Sequence, residues 1–324
     1  MNNRYSVALC TYNGSRYVIE QLDSIINQTI PPSQIVVSDD GSKDSTLDIV
    51  NNYLSNKDVK YTVCSNSYSR GVTNNFLNAI ELCSEDIIFT SDQDDYWMVD
   101  KAEKLLAVYE GNPNALVVFS NGELVDINMK SLNCDIWRAV GITHERCNEG
   151  NWFHYLLKNC LITGATMSFS KNILKDIDEI PSEWLHDGWL AWAAVIRGGL
   201  VPCPDRLIKY RQHGANVIGM KPVYSFWGKL KGWIKNFDDM PKQREIRYHR
   251  YLSLEKKWGG RLTKYQSEEL LECINFWGEL VGLSHQTKFI RLKKILSLYS
   301  SGSYNRFFVG TRGCLRDLIL SIIK

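Results

Sequence analysis

The sequence predicts an α/β fold, with a mostly parallel central sheet flanked by helices and a helical region after it. Three observations predict this. Short apolar runs of strand length recur through residues 1–220. Segments of helical period separate them, the pattern of βαβ units. After Lys221 the strand-like runs stop, and basic amphipathic helical patterns take their place. Two regions follow from this, an α/β domain over 1–220 and a helical region over 221–324.

Taken in order, Arg4 to Cys10 is apolar enough for a first strand, and it ends in the polar turn Thr11, Tyr12, Asn13, Gly14. Val18, Leu22, Ile25 and Ile26 recur at helical spacing. Gln34 to Ser38 reads as a second, buried strand, closed by Asp39, Asp40, Gly41 and Ser42. Leu47, Val50 and Leu54 mark a second helix, and Val59 to Cys64 a third strand. A polar turn with Arg70 and Gly71 leads into a helix from Val72 to Leu82. Ile87, Ile88 and Phe89 form the fourth strand, a short run buried on both faces. Two further strands are expected between Ala115 and Asn128, and irregular chain over 130–150. Trp152 to Lys158 reads as helix. Leu161 to Phe169 reads as a strand with Gly164 in its middle, a sign of close backbone approach. Glu183 to Arg197 is helical, with Asp187 in its first turn, and Leu207 to Tyr210 is a short strand running into Arg211.

In open α/β sheets, ligands sit at the carboxyl ends of the strands. Thr11, Asp39, Arg70 and Asp92 each follow a different strand, so a shared crevice would gather them. Asp92, Asp94 and Asp95 come directly after the fourth. Carboxylates packed so densely repel one another unless a positive charge sits among them, and a divalent cation with oxygen ligands supplies one. The competing reading is an acidic turn with an Asp cap for the next helix.

Composition narrows the class. A chain of 324 residues with 44% apolar and 23% charged residues is ordinary for a globular protein. No run reaches the roughly 18 apolar residues that span a bilayer, and Arg4 to Cys10 is already strand-like, so no signal peptide is expected. Nine cysteines without a CxxC pair argue for reduced thiols in the cytoplasm and against a zinc site. From Lys221 onward there are 20 Lys and Arg against 9 Asp and Glu, so an acidic front is joined to a basic tail. An anionic surface is the expected partner of that tail. Phe226, Leu230, Trp233 and Phe237 share a helical face, with Lys229, Lys231 and Lys235 largely off it. Such a helix suits the water–lipid interface, or packs its aromatic face onto the first domain.

Five motifs in order carry a resemblance. They are Thr11-Tyr12-Asn13, then Asp39-Asp40-Gly41-Ser42-Lys43-Asp44, then Ser91-Asp92-Gln93-Asp94-Asp95. His186-Asp187-Gly188-Trp189 and Tyr210-Arg211-Gln212-His213-Gly214 complete them. Over residues 4–220 the chain resembles a family 2 glycosyltransferase of GT-A fold, in the bacterial rhamnosyltransferase-like branch of O-antigen and capsule synthesis. The resemblance implies that Asp39 accepts the pyrimidine N3–H, as an acceptor-only carboxylate can. Thr11, Tyr12 and Asn13 would stand beside the base, Arg70 near a phosphate and Asp92 at the ribose. Asp94 or Asp95 would hold Mn²⁺ or Mg²⁺, with His213 as a further metal ligand or a phosphate donor. Asp187 would be the base that takes the acceptor proton, giving inversion. Gly164, Thr166, His186 and Arg211 would lie on the acceptor or phosphate side. Gly188 departs from the Trp that many relatives carry there, which would reshape the acceptor pocket.

The function implied is metal-dependent, inverting transfer of a hexose or deoxyhexose from a UDP- or dTDP-linked donor. The acceptor would be a saccharide on a polyprenyl diphosphate, met at the inner face of the cell membrane by a peripheral cytoplasmic protein. Two other classes compete. A sugar nucleotidyltransferase would open with a Gly-rich basic loop, where this chain has Thr11 to Arg16. A non-catalytic membrane scaffold would have no use for intact Asp39, Asp92, Asp94 and Asp187. No GxGxxG follows any strand, which disfavours a dehydrogenase, and no nucleic-acid motif is present.

Overall fold

The computed structural model describes residues 4–158, 162–177, 179–213 and 240–323. The Trp- and Lys-rich stretch 223–237 lies outside the described residues, as do Leu161 and Gly214. The described chain forms two compact units. The first draws on residues within 1–150, 161–180 and 185–222, the second on 151–160, 181–184 and 223–324.

The first unit holds a nine-stranded mixed sheet of GT-A type. Its parallel part is β1 (Tyr5–Thr11), β2 (Gln34–Asp39), β3 (Lys60–Ser65) and β4 (Ile87–Asp92), in spatial order β3-β2-β1-β4. Helices α1 (Val18–Ile26), α2 (Thr46–Leu54) and α3 (Val72–Glu81) make the crossovers. All seven residues of β1 and all six of β2 are buried, as befits central strands of a parallel sheet covered on both faces. Beyond β4 the sheet changes character. β5 (Tyr96–Trp97), β6 (Val117–Val125), β7 (Ser131–Asp135), β8 (Met167–Ser170) and β9 (Leu200–Arg211) follow in sequence. β8 is antiparallel to both β4 and β6, β7 to β6 and β5 to β9, while β6 and β9 are parallel. The sheet is therefore mixed, because β8 enters between β4 and β6 against their direction.

Other departures from the sequence reading have local causes. One strand, β6, replaces the two expected. It passes straight through Gly122, where a Cβ would stand 2.6 Å from the Ile208 side chain. The supposedly irregular 130–150 contains β7, α5 (Ile136–Val140) and α6 (His144–Glu149). These helices are too short to show a period, but their caps are in the sequence. Asp135 and Thr143 accept the Arg138 and Arg146 N–H groups, and Gly141 and Gly150 close the helices with φ of 84° and 67°. β9 begins seven residues before the expected strand. Its partners jump from Ser120↔Cys203 to Asn121↔Arg206, so Pro204 and Asp205 bulge out of the ladder and hid it. In place of a strand from Leu161, a 3₁₀ turn at Gly164–Thr166 precedes β8. Helices α4 (Lys101–Gly111) and α8 (His186–Ile196) complete the first unit.

The second unit is helical. It contains α7 (Trp152–Lys158), α9 (Met240–Trp258), α10 (Lys264–Gly282), α11 (Lys288–Ser300), α12 (Ser303–Phe307) and α13 (Thr311–Ile323). Thr263 and Gln266 form a capping box at the start of α10. Phe276, Trp277, Tyr304 and Phe307 supply its aromatic core. The Tyr251 hydroxyl donates to the Leu157 carbonyl at 2.6 Å and ties α9 to α7.

Candidate active site

Register brings the site together. Thr11 lies opposite Asp39 across β1–β2, and Cys10 opposite Asp92 across β1–β4. The loops leaving these three strand ends surround a cavity of about 250 Å³. Tyr12, Asp40, Gly71 and Val72 line one part of its wall, Asp92, Gln93 and Asp94 another, and Thr163, Gly164, Leu185, His186, Asp187 and Tyr210 the rest.

The two loop aspartates divide their work. Asp39 is fully buried. Its Oδ1 accepts the Gly41 and Ser42 N–H groups at 3.0 and 2.7 Å. Its Oδ2 accepts the Thr11 and Ser42 hydroxyls at 2.7 and 2.6 Å. With four donors its acceptor capacity is used up, and it does not face the cavity. Asp39 thus ties the turn together, and its side chain is not among those that line the cavity. Asp40, the next residue, faces the cavity instead. It is held by Asn66 Nδ2 at 2.8 Å and by the Gly71 N–H at 3.0 Å.

Tyr12 is 49% exposed at the cavity rim. The Gln93 amide clasps its backbone in both directions, accepting its N–H at 2.8 Å and donating to its carbonyl at 2.9 Å. A Cβ at Gly14 would stand 2.0 Å from Gln93 Oε1, so this clasp requires glycine there. Asn13, with φ 48°, takes the Ser42 hydroxyl as acceptor for its N–H and accepts the Lys43 N–H at 2.8 Å. It staples two loops and does not line the cavity. Arg70 is exposed and packs over Gly41, also off the cavity wall.

The acidic motif after β4 points in more than one direction. Asp92 and Asp94 line the cavity. Asp94 Oδ2 lies 2.7 Å from His213 Nε2. Asp95 is 2% exposed and does not line it. Its Oδ1 accepts the Arg211 N–H at 3.1 Å, and among the described residues its Oδ2 has no hydrogen-bond partner. Burial, then Asp94 and Asp92, push the Asp95 carboxyl well above the usual carboxylate range. Burial, Asp94 and Asp187 push Asp92 up to about 7, against the pull of Lys101. The Lys101 ammonium is buried, 3.8 Å above the Trp97 ring and 2.9 Å from the Ala165 carbonyl. Burial pushes it down to about 7, against Asp95 and Asp92.

Asp187 sits in the first turn of α8, where the helix dipole favours a carboxylate. Its Oδ1 accepts the Gly188 N–H at 2.6 Å and its Oδ2 the Gly164 N–H at 3.0 Å. The Thr90 hydroxyl fixes the same turn by donating to the Gly164 carbonyl at 2.6 Å. His186 stacks on Phe76 with ring centroids 4.0 Å apart. Burial lowers its pKa, against Asp187, which favours the neutral ring. Thr166 is buried and donates to the Thr163 carbonyl at 2.9 Å, behind the wall rather than on it. Arg211 is also off the wall. Its guanidinium donates to the Asp94 carbonyl at 2.8 Å, to the Ile127 carbonyl at 3.0 Å and to Glu20. That engagement makes it a brace for the acidic loop.

The structure thus gathers Thr11, Tyr12, Asp92, Asp94, Gly164, His186 and Asp187 on one cavity, with His213 in hydrogen-bond contact with Asp94. It leaves Asn13, Asp39, Arg70, Asp95, Thr166 and Arg211 in supporting positions. The sequence reading missed Asp40, Gln93 and Lys101. Lys101 had a signal: with Leu105 and Tyr109 it falls at i, i+4 and i+8 on the buried face of α4, where a lysine is out of place.

Comparison with known proteins agrees with this architecture. The sequence model of glycosyl transferase family 2 matches residues 6–169. The chain is 27% identical to the dTDP-rhamnosyl transferase RfbG of Shigella flexneri, over 70% of this chain and 79% of that one. It is 24% identical to the Escherichia coli UDP-Glc:alpha-D-GlcNAc-diphosphoundecaprenol beta-1,3-glucosyltransferase WfgD, over 71% and 87%. It spans 65% and 66% of the length of two further relatives, named only as uncharacterized glycosyltransferases. The fold matches the structure of S. aureus TarS with UDP-GlcNAc at a TM-score of 0.59 and 17% identity, over 92% of this chain and 80% of that one.

Proposed function

This chain belongs to glycosyl transferase family 2, and on that premise we propose that it moves a hexose or deoxyhexose from a UDP- or dTDP-linked donor to a saccharide hydroxyl, with inversion. One observation carries the reading. Asp187, Asp92 and Asp94 share a single cavity, and two backbone N–H groups hold the Asp187 carboxylate in place there.

The roles follow from position. Tyr12 offers an exposed ring face to a base, and Asp40 is the carboxylate at that end of the cavity. In this reading Asp40, not Asp39, accepts the pyrimidine N3–H. Asp187 takes the proton of the acceptor hydroxyl as that oxygen attacks the anomeric carbon. One base and one displacement invert the configuration. Asp39→Ala strips a buried loop of its acceptor, and a loss of about 3 kcal/mol in stability is expected, read as a drop in Tm. Asp40→Ala is expected to keep most of its stability and to lose at least tenfold in nucleotide affinity. The opposite pattern would return the base contact to Asp39.

The donor set fits a divalent cation. Asp94 and His213 place an oxygen and a nitrogen 2.7 Å apart, at 14% and 10% side-chain exposure. Among the described residues no group of three or more protein ligands forms. That suits Mn²⁺ or Mg²⁺ shared with a diphosphate, since Mg²⁺ usually takes one or two carboxylates and fills its shell with phosphate oxygens and water. When bound, such an ion neutralises the diphosphate leaving group.

The acceptor is proposed to be a sugar on a polyprenyl diphosphate, reached from the membrane surface in O-antigen or capsule assembly. The name of the Escherichia coli relative supports a lipid-linked acceptor. No described helix is long and apolar enough to cross a membrane. On α11, Phe289, Ile290 and Leu296 are 78%, 48% and 52% exposed, on a helix with Lys288, Arg291, Lys293 and Lys294 and no acidic residue. Flotation with vesicles should therefore need anionic lipid and weaken with salt. Equal binding to neutral vesicles at high salt would remove the electrostatic part of this proposal.

Calorimetric titration with UDP and dTDP, each with and without Mn²⁺, tests the reading. Metal-dependent binding of one nucleotide is expected. Folded protein that binds neither would end it.

A further inference from the structure

Gln93 is the uncharged residue between two cavity-lining aspartates, Asp92 and Asp94. β1 and β4 pair in parallel, with Cys10 opposite Asp92. Tyr12 and Gln93 are the first residues beyond those two strands. There the backbone ladder ends, and the Gln93 carboxamide continues it. Its Oε1 accepts the Tyr12 N–H at 2.8 Å while its Nε2 donates to the Tyr12 carbonyl at 2.9 Å. A carboxamide offers the donor and the acceptor that a peptide group offers, so one side chain supplies a last rung to the sheet. The rung is exposed, where water would serve the same groups and the net gain in stability is small. It also excludes any side chain at position 14, since a Cβ there would stand 2.0 Å from Gln93 Oε1. Stability therefore does not account for the clasp, whereas the distance it fixes does. Tyr12 presents its exposed ring at one part of the cavity and Asp94 its carboxylate at another, and the clasp ties together the backbones that carry them.

We propose that Gln93 is a positioning residue that sets the span between the base wall and the cation, so that both ends of a nucleoside diphosphate are held at once. The identity of that ligand, though not the clasp, rests on the transferase reading. A ligand that bridges two contacts gains fully from both only where their spacing is right beforehand, because a loose spacing must be ordered as the ligand binds. Gln93 acts through Tyr12 and through its own neighbours in the chain.

Two variants undo the clasp by different routes. Gln93→Met keeps the length of the side chain and removes both hydrogen-bonding groups. Gly14→Ala leaves Gln93 in place and pushes its carboxamide off Tyr12, a movement open to the end of a flexible side chain. The test measures uridine or thymidine without metal by ligand-observed NMR, and Mn²⁺ without nucleotide from the paramagnetic resonance signal of the free ion. UDP and dTDP with Mn²⁺ are then titrated by calorimetry. Both variants are expected to bind nucleoside and Mn²⁺ separately within about twofold of the wild type, and the diphosphate with Mn²⁺ about tenfold more weakly, the loss expected when preorganisation alone is removed. An equal loss for the nucleoside would make Gln93 a prop of the base wall, and an equal loss for Mn²⁺ alone a prop of the acidic loop; either overturns the proposal. So does unchanged diphosphate binding by either variant at wild-type melting temperature. Wild-type protein that binds neither diphosphate ends the transferase reading and this proposal with it, whereas wild-type binding matched by both variants ends this proposal alone.

Discussion

Asp187→Asn should lower the turnover number by at least about 10³-fold while nucleotide affinity changes less than threefold, on the scale of lost general-base catalysis with its charge. Asn keeps the shape and an oxygen acceptor for one of the two N–H groups, from Gly164 or Gly188, so the start of α8 should hold its form. What it lacks is basicity. An amide oxygen cannot take the proton that the acceptor hydroxyl gives up, so the defect belongs in the chemical step and not in KM. The measurement is nucleoside diphosphate release with acceptor present, beside calorimetry of the nucleotide alone. Normal turnover would remove Asp187 from the reaction. A parallel loss of binding and turnover would make it a structural cap of α8 instead. Gly164→Ala gives a second view of the same contact. Its Cβ would stand 3.0 Å from His186 Nε2 and 3.6 Å from Asp187 Cβ, so it crowds the His186 ring and only touches Asp187.

Much of this site could be read from the chain because strand ends are legible. An unbroken apolar run followed by a polar turn marks where a parallel strand stops, and β1, β2 and β4 all carry that mark. Register then does the rest: Thr11, Asp39 and Asp92 had to meet because their strands pair in parallel from aligned starts. What could not be read is which of two adjacent side chains turns inward. Asp39 and Asp40 have the same chemistry, and only the donors around Asp39 decide that it is consumed by the turn. The partners of Arg211 were illegible for the same reason. Nothing local says that Glu20, far away in sequence, will claim its guanidinium. In the sheet's second half, pairing depends on β8 running against β4 and β6, a long-range fact with no short-range signature.

The motif D-x-D-D leaves two candidates for the metal carboxylate, and the structure predicts how they separate. Asp94→Ala should cost at least about 100-fold in Mn²⁺-dependent nucleotide affinity, as expected when a buried charged contact is lost, and leave binding without metal nearly untouched. Asp95→Asn should shift that affinity less than threefold. The reason lies in the proton. Burial and its neighbours hold Asp95 well above the ordinary carboxylate range, which favours its protonated form, and an amide is a close substitute for that form. Asn also retains an oxygen to accept the Arg211 N–H. The sign of the pH effect follows. Above about pH 4, the unfolded carboxyl has lost its proton while the folded one keeps it. Wild-type stability must then fall as pH rises from that point toward the raised folded value. Asp95→Asn has no proton to hold, so its melting temperature should gain on the wild type across the same window. If instead Asp95→Asn abolishes metal-dependent binding and Asp94→Ala does not, the ion sits on the inner carboxylate, and the loop must open when the nucleotide arrives.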